Sequence, residues 1–166
     1  MKEKFLAVYV IFDDETQNKL NQLQNLLINN NLISTHTTDI PFHITLGSFP
    51  LDKQTELEKR IKEISIEQLS FDIKLSKIGH FEKHVLFISP TKNKMLNNIQ
   101  ILFNGNYADG YKFYPHTTLF IGDKKQFKVA KQIIKKNFKP FTAKITAIGL
   151  SEFFPTKNIL TENFQL

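Results

Sequence analysis

Two short stretches of the sequence, Phe42-His43-Ile44-Thr45-Leu46 and Pro115-His116-Thr117-Thr118-Leu119, share the pattern His-x-Thr-Leu. Both contain the β-branched residues that are typical of strands. Because the side chains of a strand alternate between its two faces, each His shares a face with the Thr two positions later. The residue between them points to the opposite face. The sequence therefore places an imidazole and a hydroxyl side by side, and it does so twice.

The segments around the two stretches follow one order, which indicates an internal duplication. The first half predicts strands at residues 5–12, 42–49 and 69–78, a helix capped by Asp13 or Asp14 and ended by Asn29-Asn30-Asn31, and a helix at 53–64. The second half predicts strands at 85–88, 116–121 and 141–148 and helices at 95–102 and 127–138. Loops are expected at 36–39 and 104–106. Residues 74–79 also align with 144–149, and each segment ends in Gly.

The matching halves predict an α+β fold with two α/β-like lobes related by a pseudo-twofold axis. In such a fold the sheets line a central cleft, and equivalent strands face each other across it. We expect the cleft to hold His43 with Thr45 on one side and His116 with Thr118 on the other. The whole chain, residues 1–166, is expected to form this single bilobal domain.

Composition limits the possible classes of protein. The chain has 166 residues, of which 41% are hydrophobic and 23% charged, so it can bury a core of its own. Cysteine is absent, which excludes a disulfide scaffold, a thiol nucleophile and thiolate metal sites. No apolar run approaches the roughly 18 residues of a membrane span. We therefore expect a cytoplasmic monomer that does not bind a membrane.

The charge balance leaves two interpretations open. The formal net charge is +6, which suits a polyanionic partner such as RNA or a nucleotide. Nearly all of the positive charge is Lys, however, and Asn, Ile and Phe are also abundant, so a general bias of amino-acid usage explains the charge equally well. The Lys residues between 124 and 139 are spread around a helix, which favours a solvated face over an RNA track.

The four residues of the cleft suit the cleavage of a phosphodiester without a metal or cofactor. This reaction needs a base for the attacking oxygen and an acid for the leaving oxygen, and imidazoles can serve as either at neutral pH. Hydroxyls can donate hydrogen bonds to the phosphate oxygens. We predict that His43 and His116 are the acid–base pair and that Thr45 and Thr118 bind phosphate. The sequence leaves open which His is the base.

Further residues are weaker candidates for substrate contacts. Glu152 can accept hydrogen bonds from a base, and His80 can reach substrate from the cleft rim. His80 and His84 with Glu82 lie in a turn, where they do not converge on a metal, so no metal site is predicted. Several aromatic residues can stack on a base, although each is also a candidate core residue. They are Tyr9, Phe42, Tyr114, Phe153 and Phe154.

The paired motifs resemble those of the 2H phosphoesterase superfamily, which includes the bacterial 2′-5′ RNA ligase and cyclic-phosphodiesterase families. The resemblance extends from the strand at Phe5 to a last strand near Phe164. It implies a bilobal α/β fold, metal-free hydrolysis of 2′,3′-cyclic or 2′-5′-type phosphodiesters and, in some members, ligation. Ligase-like members often have an Arg shortly after the second motif. This chain has Phe120-Ile121-Gly122-Asp123-Lys124 there, without an Arg. This departure argues against ligation but not against phosphoesterase chemistry.

The sequence therefore predicts a phosphodiesterase that acts on nucleotides or RNA ends. Two alternatives stay open. One is a 2H phosphodiesterase that degrades cyclic oligonucleotide signals, and the other is a module that binds nucleotides or RNA ends without turnover. Two titratable imidazoles in equivalent positions favour an enzyme, because binding alone would not need them.

Overall fold

An antiparallel sheet covered by helices forms the part of the chain that the computed structural model describes, residues 2–36, 39–103 and 112–166. The strands are β1 (Phe5–Phe12), β2 (His43–Phe49), β3 (Phe71–Phe81), β4 (Val85–Pro90), β5 (Thr117–Ile121), β6 (Phe141–Phe153) and β7 (Lys157–Asn163). The helices are α1 (Asp14–Asn29), α2 (Gln54–Glu67), α3 (Lys94–Phe103) and α4 (Lys124–Asn137), with a 3-10 turn at Leu51–Lys53.

The order of the strands confirms the duplication. It runs β2-β1-β6-β3-β4-β5, and β7 pairs with β6. Exchanging β1, β2 and β3 with β4, β5 and β6 gives the same order in reverse, as a pseudo-twofold axis requires. The third strand of each half pairs with the first strand of the other half, since β3 pairs with β4 and β6 pairs with β1. The two lobes are therefore joined into one continuous sheet through the pairing of β3 with β6.

The caps of two helices follow from the sequence. The side chain of Asp13 accepts a hydrogen bond from the backbone N–H of Thr16 and starts α1, so Asp13 rather than Asp14 is the cap. Asp123 caps α4 in a reciprocal arrangement with Gln126. This capping box begins α4 three residues before the predicted start at Phe127. The apolar pattern does not indicate this first turn, because it begins with Lys residues.

The strands extend beyond several predicted ends. β3 continues past Gly79 to Phe81, and β6 continues past Gly149 to Phe153, because both glycines lie within paired strands. β5 starts at Thr117, one residue after the predicted start. The predicted loop at 104–106 and the middle of the loop at 36–39 lie outside the described residues.

The two faces of the sheet have different neighbours. On β1, Leu6, Val8 and Val10 belong to the main core, which the helices cover, whereas Tyr9 packs with a smaller group on the other face. The nearly complete burial of β1 matches its unbroken apolar sequence. The face away from the helices carries the cleft. Within the described ranges, no helix combines the length and apolar character that a membrane span requires.

Candidate active site

The two His-x-Thr stretches present their polar side chains to the cleft face, as strand alternation predicts. His43 and Thr45 are half-buried, while Ile44 between them is completely buried on the helix side. His116 and Thr118 are likewise half-buried on either side of the buried Thr117. Each lobe thus supplies one imidazole and one hydroxyl that are open to a ligand.

Both imidazoles are oriented by the backbone carbonyl two residues earlier. The Nδ1 atom of His43 lies 2.8 Å from the carbonyl oxygen of Pro41, and that of His116 lies 2.7 Å from the carbonyl oxygen of Tyr114. Because a carbonyl only accepts hydrogen bonds, Nδ1 carries the hydrogen in both rings. The Nε2 atom of each ring is therefore the one that can take up or give a proton.

Each imidazole also packs against an aromatic ring that lies over a glycine. The ring of Tyr9 is 4.9 Å from that of His43, and the ring of Phe87 is 4.9 Å from that of His116. Tyr9 pairs with Gly149 and Phe87 pairs with Gly79 across the sheet. A Cβ atom on Gly149 would lie 2.5 Å from the Tyr9 ring, and one on Gly79 would lie 2.4 Å from the Phe87 ring.

These two glycines end the segments that align in the sequence, but their role is visible only in the structure. Phe87, which occupies the position equivalent to Tyr9, is among the residues that sequence reasoning missed. The matching Gly positions were the available signal, because a glycine inside a strand often marks a close approach. Each Gly makes room for the ring that supports a cleft imidazole.

The support is polar on one side of the cleft and apolar on the other. The hydroxyl of Tyr9 hydrogen-bonds to Ser151 at 2.6 Å, and burial raises the pKa of Tyr9. On the other side, the ring of Phe81 packs 4.6 Å from that of Phe87 and 4.9 Å from that of His116. The duplicated cleft is therefore chemically asymmetric.

The electrostatics of the cleft favour neutral imidazoles. The pKa of His43 is lowered to about 4, mainly by burial; the bond to Pro41 opposes this lowering, and positive charge on His116 or on His36 contributes to it. Burial also lowers the pKa of His116, opposed by its bond to Tyr114. Charge on His116 thus affects the pKa of His43, so the two imidazoles interact electrostatically.

Helix α1 holds both motif strands through two glutamines. The side chain of Gln17 donates to the carbonyl of Phe42 at 2.7 Å and accepts from the Phe42 N–H at 2.8 Å. Two turns later, Gln24 donates to the carbonyl of Leu119 at 3.4 Å. Each glutamine thus binds the backbone of a residue adjacent to a motif, Phe42 before His43 and Leu119 after Thr118.

The remaining aromatic candidates have different surroundings. Phe42 is half-buried with its backbone bound by Gln17. Tyr114 is exposed, and its ring meets the edge of Phe87, which places it beside the His116 imidazole. Phe153 stacks on Phe5 at 5.3 Å, in a surface group that also includes Phe154.

Two polar candidates are engaged away from the imidazole pair. Glu152 forms an ion pair of 3.3 Å with Lys4. Gly79 packs under the ring of Phe87, and Phe81 packs beside His116. His80 lies between them in the strand, so alternation turns it to the other face, where its ring meets Phe127 of α4. Its Nδ1 atom donates to the carbonyl of Glu82.

No metal-binding arrangement joins the weaker histidines. The Nδ1 atom of His84 donates to the carbonyl of Gly122 at 3.0 Å. Across residues 2–36, 39–103 and 112–166, no group of three or more His, Asp or Glu side chains is placed to hold a metal ion.

Comparison with known proteins agrees with the class that the fold and the paired motifs define, a 2H phosphoesterase. A profile of the 2′-5′ RNA ligase superfamily matches residues 9–153, most of the chain, and the chain belongs to this superfamily. A search of curated protein sequences found no significant match. Membership supports a function of the phosphoesterase type.

Solved structures with the same fold are distant in sequence. E. coli LigT complexed with phosphate is 14% identical over 100% of both chains, with a TM-score of 0.65. E. coli LigT complexed with 3′-AMP is 13% identical over 99% of this chain and 100% of that one, with a TM-score of 0.63. TT0787 of Thermus thermophilus is 13% identical over 97% of this chain and 98% of that one, with a TM-score of 0.60. They confirm the mixed helical and antiparallel architecture.

Proposed function

We propose that this protein hydrolyses 2′,3′-cyclic or 2′-5′-type phosphodiesters of nucleotides or RNA ends, with His43 and His116 as the acid–base pair and no metal. The observation that supports this most directly is the matched orientation of the two rings. Both Nδ1 atoms donate to carbonyls, which leaves both Nε2 atoms for proton transfer. A Thr hydroxyl accompanies each ring on the cleft face.

In the proposed reaction one imidazole takes the proton of a water molecule while its oxygen bonds to phosphorus. The other imidazolium gives a proton to the leaving 2′ or 3′ ribose oxygen as the P–O bond breaks. Thr45 and Thr118 donate hydrogen bonds to the non-bridging oxygens, where negative charge builds up. The products are a phosphomonoester and a free hydroxyl, and the pair has exchanged its one proton.

The surroundings of the rings suggest the roles of acid and base. The working form of the pair carries one proton in total. Burial lowers the pKa of both rings, but the lowering is large, to about 4, for His43, so this proton resides preferentially on His116. We therefore assign His116 as the general acid and His43 as the general base.

The proposed substrate class draws on the relatives as well as on the site. E. coli LigT has been crystallised with 3′-AMP and with ATP, which are nucleotides. A nucleotide or RNA end as substrate also agrees with the formal charge of +6. The cytoplasmic, monomeric state predicted from the sequence stays part of this proposal.

The test is a substrate panel assayed in excess chelator, with identification of every product. It contains 2′,3′-cyclic nucleotides, 2′-5′ and 3′-5′ oligonucleotides and cyclic oligonucleotides. We expect turnover of the first two classes, undiminished by the chelator. Turnover of cyclic oligonucleotides alone would instead identify the protein as a phosphodiesterase that degrades cyclic oligonucleotide signals. Loss of activity with chelator and its return with a divalent ion would refute the acid–base mechanism.

A further inference from the structure

A cavity of about 510 Å³ opens beside the imidazole pair, between α1, the start of β2 and β5. His43 and Thr118 form the end that borders the proposed phosphate position. Helix α1 forms a wall of the cavity through Gln17, Asn21 and Gln24. Cavities of roughly 300–1,000 Å³ are typical of sites for small molecules and cofactors. This one is large enough for a substantial group attached to the phosphate.

Two of the three amides on this wall are already engaged. Gln17 uses both of its polar atoms on the backbone of Phe42, and Gln24 reaches the carbonyl of Leu119 and the ring of His36. Asn21 lies between them on the same helix face and is exposed at the cavity. Its side chain makes no hydrogen bond with any residue that the structure describes. The Asn21 amide therefore has a donor and an acceptor to offer a ligand.

The cavity carries little charge for a second phosphate. Neither Lys nor Arg lines it in the described part of the chain. His36 is fixed by Ser34 on one side and Gln24 on the other, and burial lowers the pKa of its ring, which is therefore neutral near pH 7. Asp39, which also lines the cavity, repels anions. The walls suit an uncharged polar group.

We propose that this cavity binds the nucleoside of the substrate and that the amide of Asn21 is the group that recognises it. The inference rests on the proposed function, because it takes the phosphodiester to lie between His43 and His116. A nucleobase edge and the ribose hydroxyls both present donors and acceptors that an amide can match. Asn21 acts here as a specificity-determining residue and takes no part in proton transfer.

The experiment measures binding and so does not depend on turnover. The four nucleoside 3′-monophosphates and inorganic phosphate are titrated calorimetrically into the wild type, Asn21→Ala and Asn25→Ala. Asn25 is a matched control, because it is an exposed asparagine of α1 outside the cavity. We expect Asn21→Ala to weaken at least one nucleotide roughly three- to tenfold, the effect of one lost hydrogen bond. Phosphate binding should stay unchanged, and Asn25→Ala should match the wild type.

Each outcome decides the proposal. Unchanged nucleotide binding in Asn21→Ala overturns it, and so does an equal loss for phosphate, which would assign Asn21 to the phosphate site. It is also overturned if the wild type binds no nucleotide more tightly than phosphate. Failure of the proposed function is a separate result. In that case the wild type hydrolyses no member of the substrate panel, while nucleotide binding still weakens selectively in Asn21→Ala.

Discussion

At the scale of single residues, the two imidazoles have matching hydrogen bonds and different environments. His43 rests on Tyr9, whose hydroxyl binds Ser151, whereas His116 rests on Phe87 with Phe81 beside it. Burial lowers both pKa values, and the lowering is large, to about 4, for His43. A duplicated motif can therefore give two imidazoles with different protonation.

The lowered pKa values predict an acid-shifted pH profile for kcat/KM, which reports on the free enzyme. Activity should rise with pH as His43 loses its proton near pH 4. It should fall as His116 loses its proton, at a pH below 6.5 because burial lowers the pKa of His116 from its ordinary value of 6.5. The optimum should therefore lie below pH 6.5. Steady-state kinetics between about pH 3.5 and 9 measure this. A profile that still rises above neutral pH would contradict the assigned protonation states.

The hydroxyls of Thr45 and Thr118 should matter to activity, whereas that of Thr117, which lies between His116 and Thr118, should not. Thr45→Val and Thr118→Val each remove a proposed donor to developing charge, so turnover should fall on the order of 10- to 10³-fold. Thr117 is the matched control, because it is buried and its Oγ1 atom has no hydrogen-bond partner among the described residues. Thr117→Val should retain full activity and should not lower the melting temperature. Equal losses at Thr117 and Thr118 would refute the alternation of roles.

At the scale of secondary-structure elements, α1 connects the two lobes by binding the backbone beside each motif. Gln17 holds Phe42 with two hydrogen bonds, and Gln24 reaches Leu119. Since Phe42 precedes His43, the position of the imidazole depends on a side chain from another element. Catalysis is sensitive to displacements of about 1 Å, so such a contact can affect the rate without touching substrate.

Gln17→Leu should therefore lower kcat roughly 10- to 100-fold and alter KM little, because it removes positioning of the base and leaves the phosphate hydroxyls in place. Gln22→Leu is the control, as Gln22 is an exposed residue of the same helix. Steady-state kinetics with thermal melts of both variants give the comparison. Normal kcat in a folded Gln17→Leu variant would show that the hydrogen bonds to Phe42 do not position His43.

The sequence predicts features that depend on neighbouring residues in the chain and misses those that depend on packing between distant elements. The shared face of His43 and Thr45 follows from strand alternation, which is local. The roles of Gln17 and Asn21 depend on which side of α1 meets the cleft, and this is set by packing against other elements. The sequence predicts His80 at the cleft rim, but the same alternation that places Gly79 under an aromatic ring turns His80 away.

At the scale of the whole molecule, exchange of the third strands makes the two halves one sheet and fixes the motifs relative to each other. β6 of the second half pairs with β1, which carries Tyr9, and β3 of the first half pairs with β4, which carries Phe87. Each half therefore supports the strand whose aromatic ring packs against the imidazole of the other half. The helices bury the opposite face in the main core. A cleft assembled in this way is expected to lose its site only when the whole fold is destabilised.

The three cleft histidines should make the fold sensitive to acid. Burial lowers the pKa of His36, His43 and His116 in the folded state, so the unfolded chain binds more protons as the pH falls below about 6.5. The free energy of unfolding should therefore decrease from about pH 7 to about pH 5. In His43→Asn this decrease should be smaller, since one of the three groups is gone. Urea unfolding at several pH values across this range measures both slopes, and equal slopes would contradict the burial of His43.

The paired mechanism is tested by the kinetics of His43→Ala, His116→Ala and the double variant on the best substrate, with thermal melts as the folding control. If the two imidazoles act on one phosphorus, each single substitution should lower turnover roughly 10²–10⁴-fold. The double substitution should cost clearly less than the product of the two, because groups that act as a unit are not additive. A folded His116→Ala protein with near-normal turnover would contradict the paired mechanism.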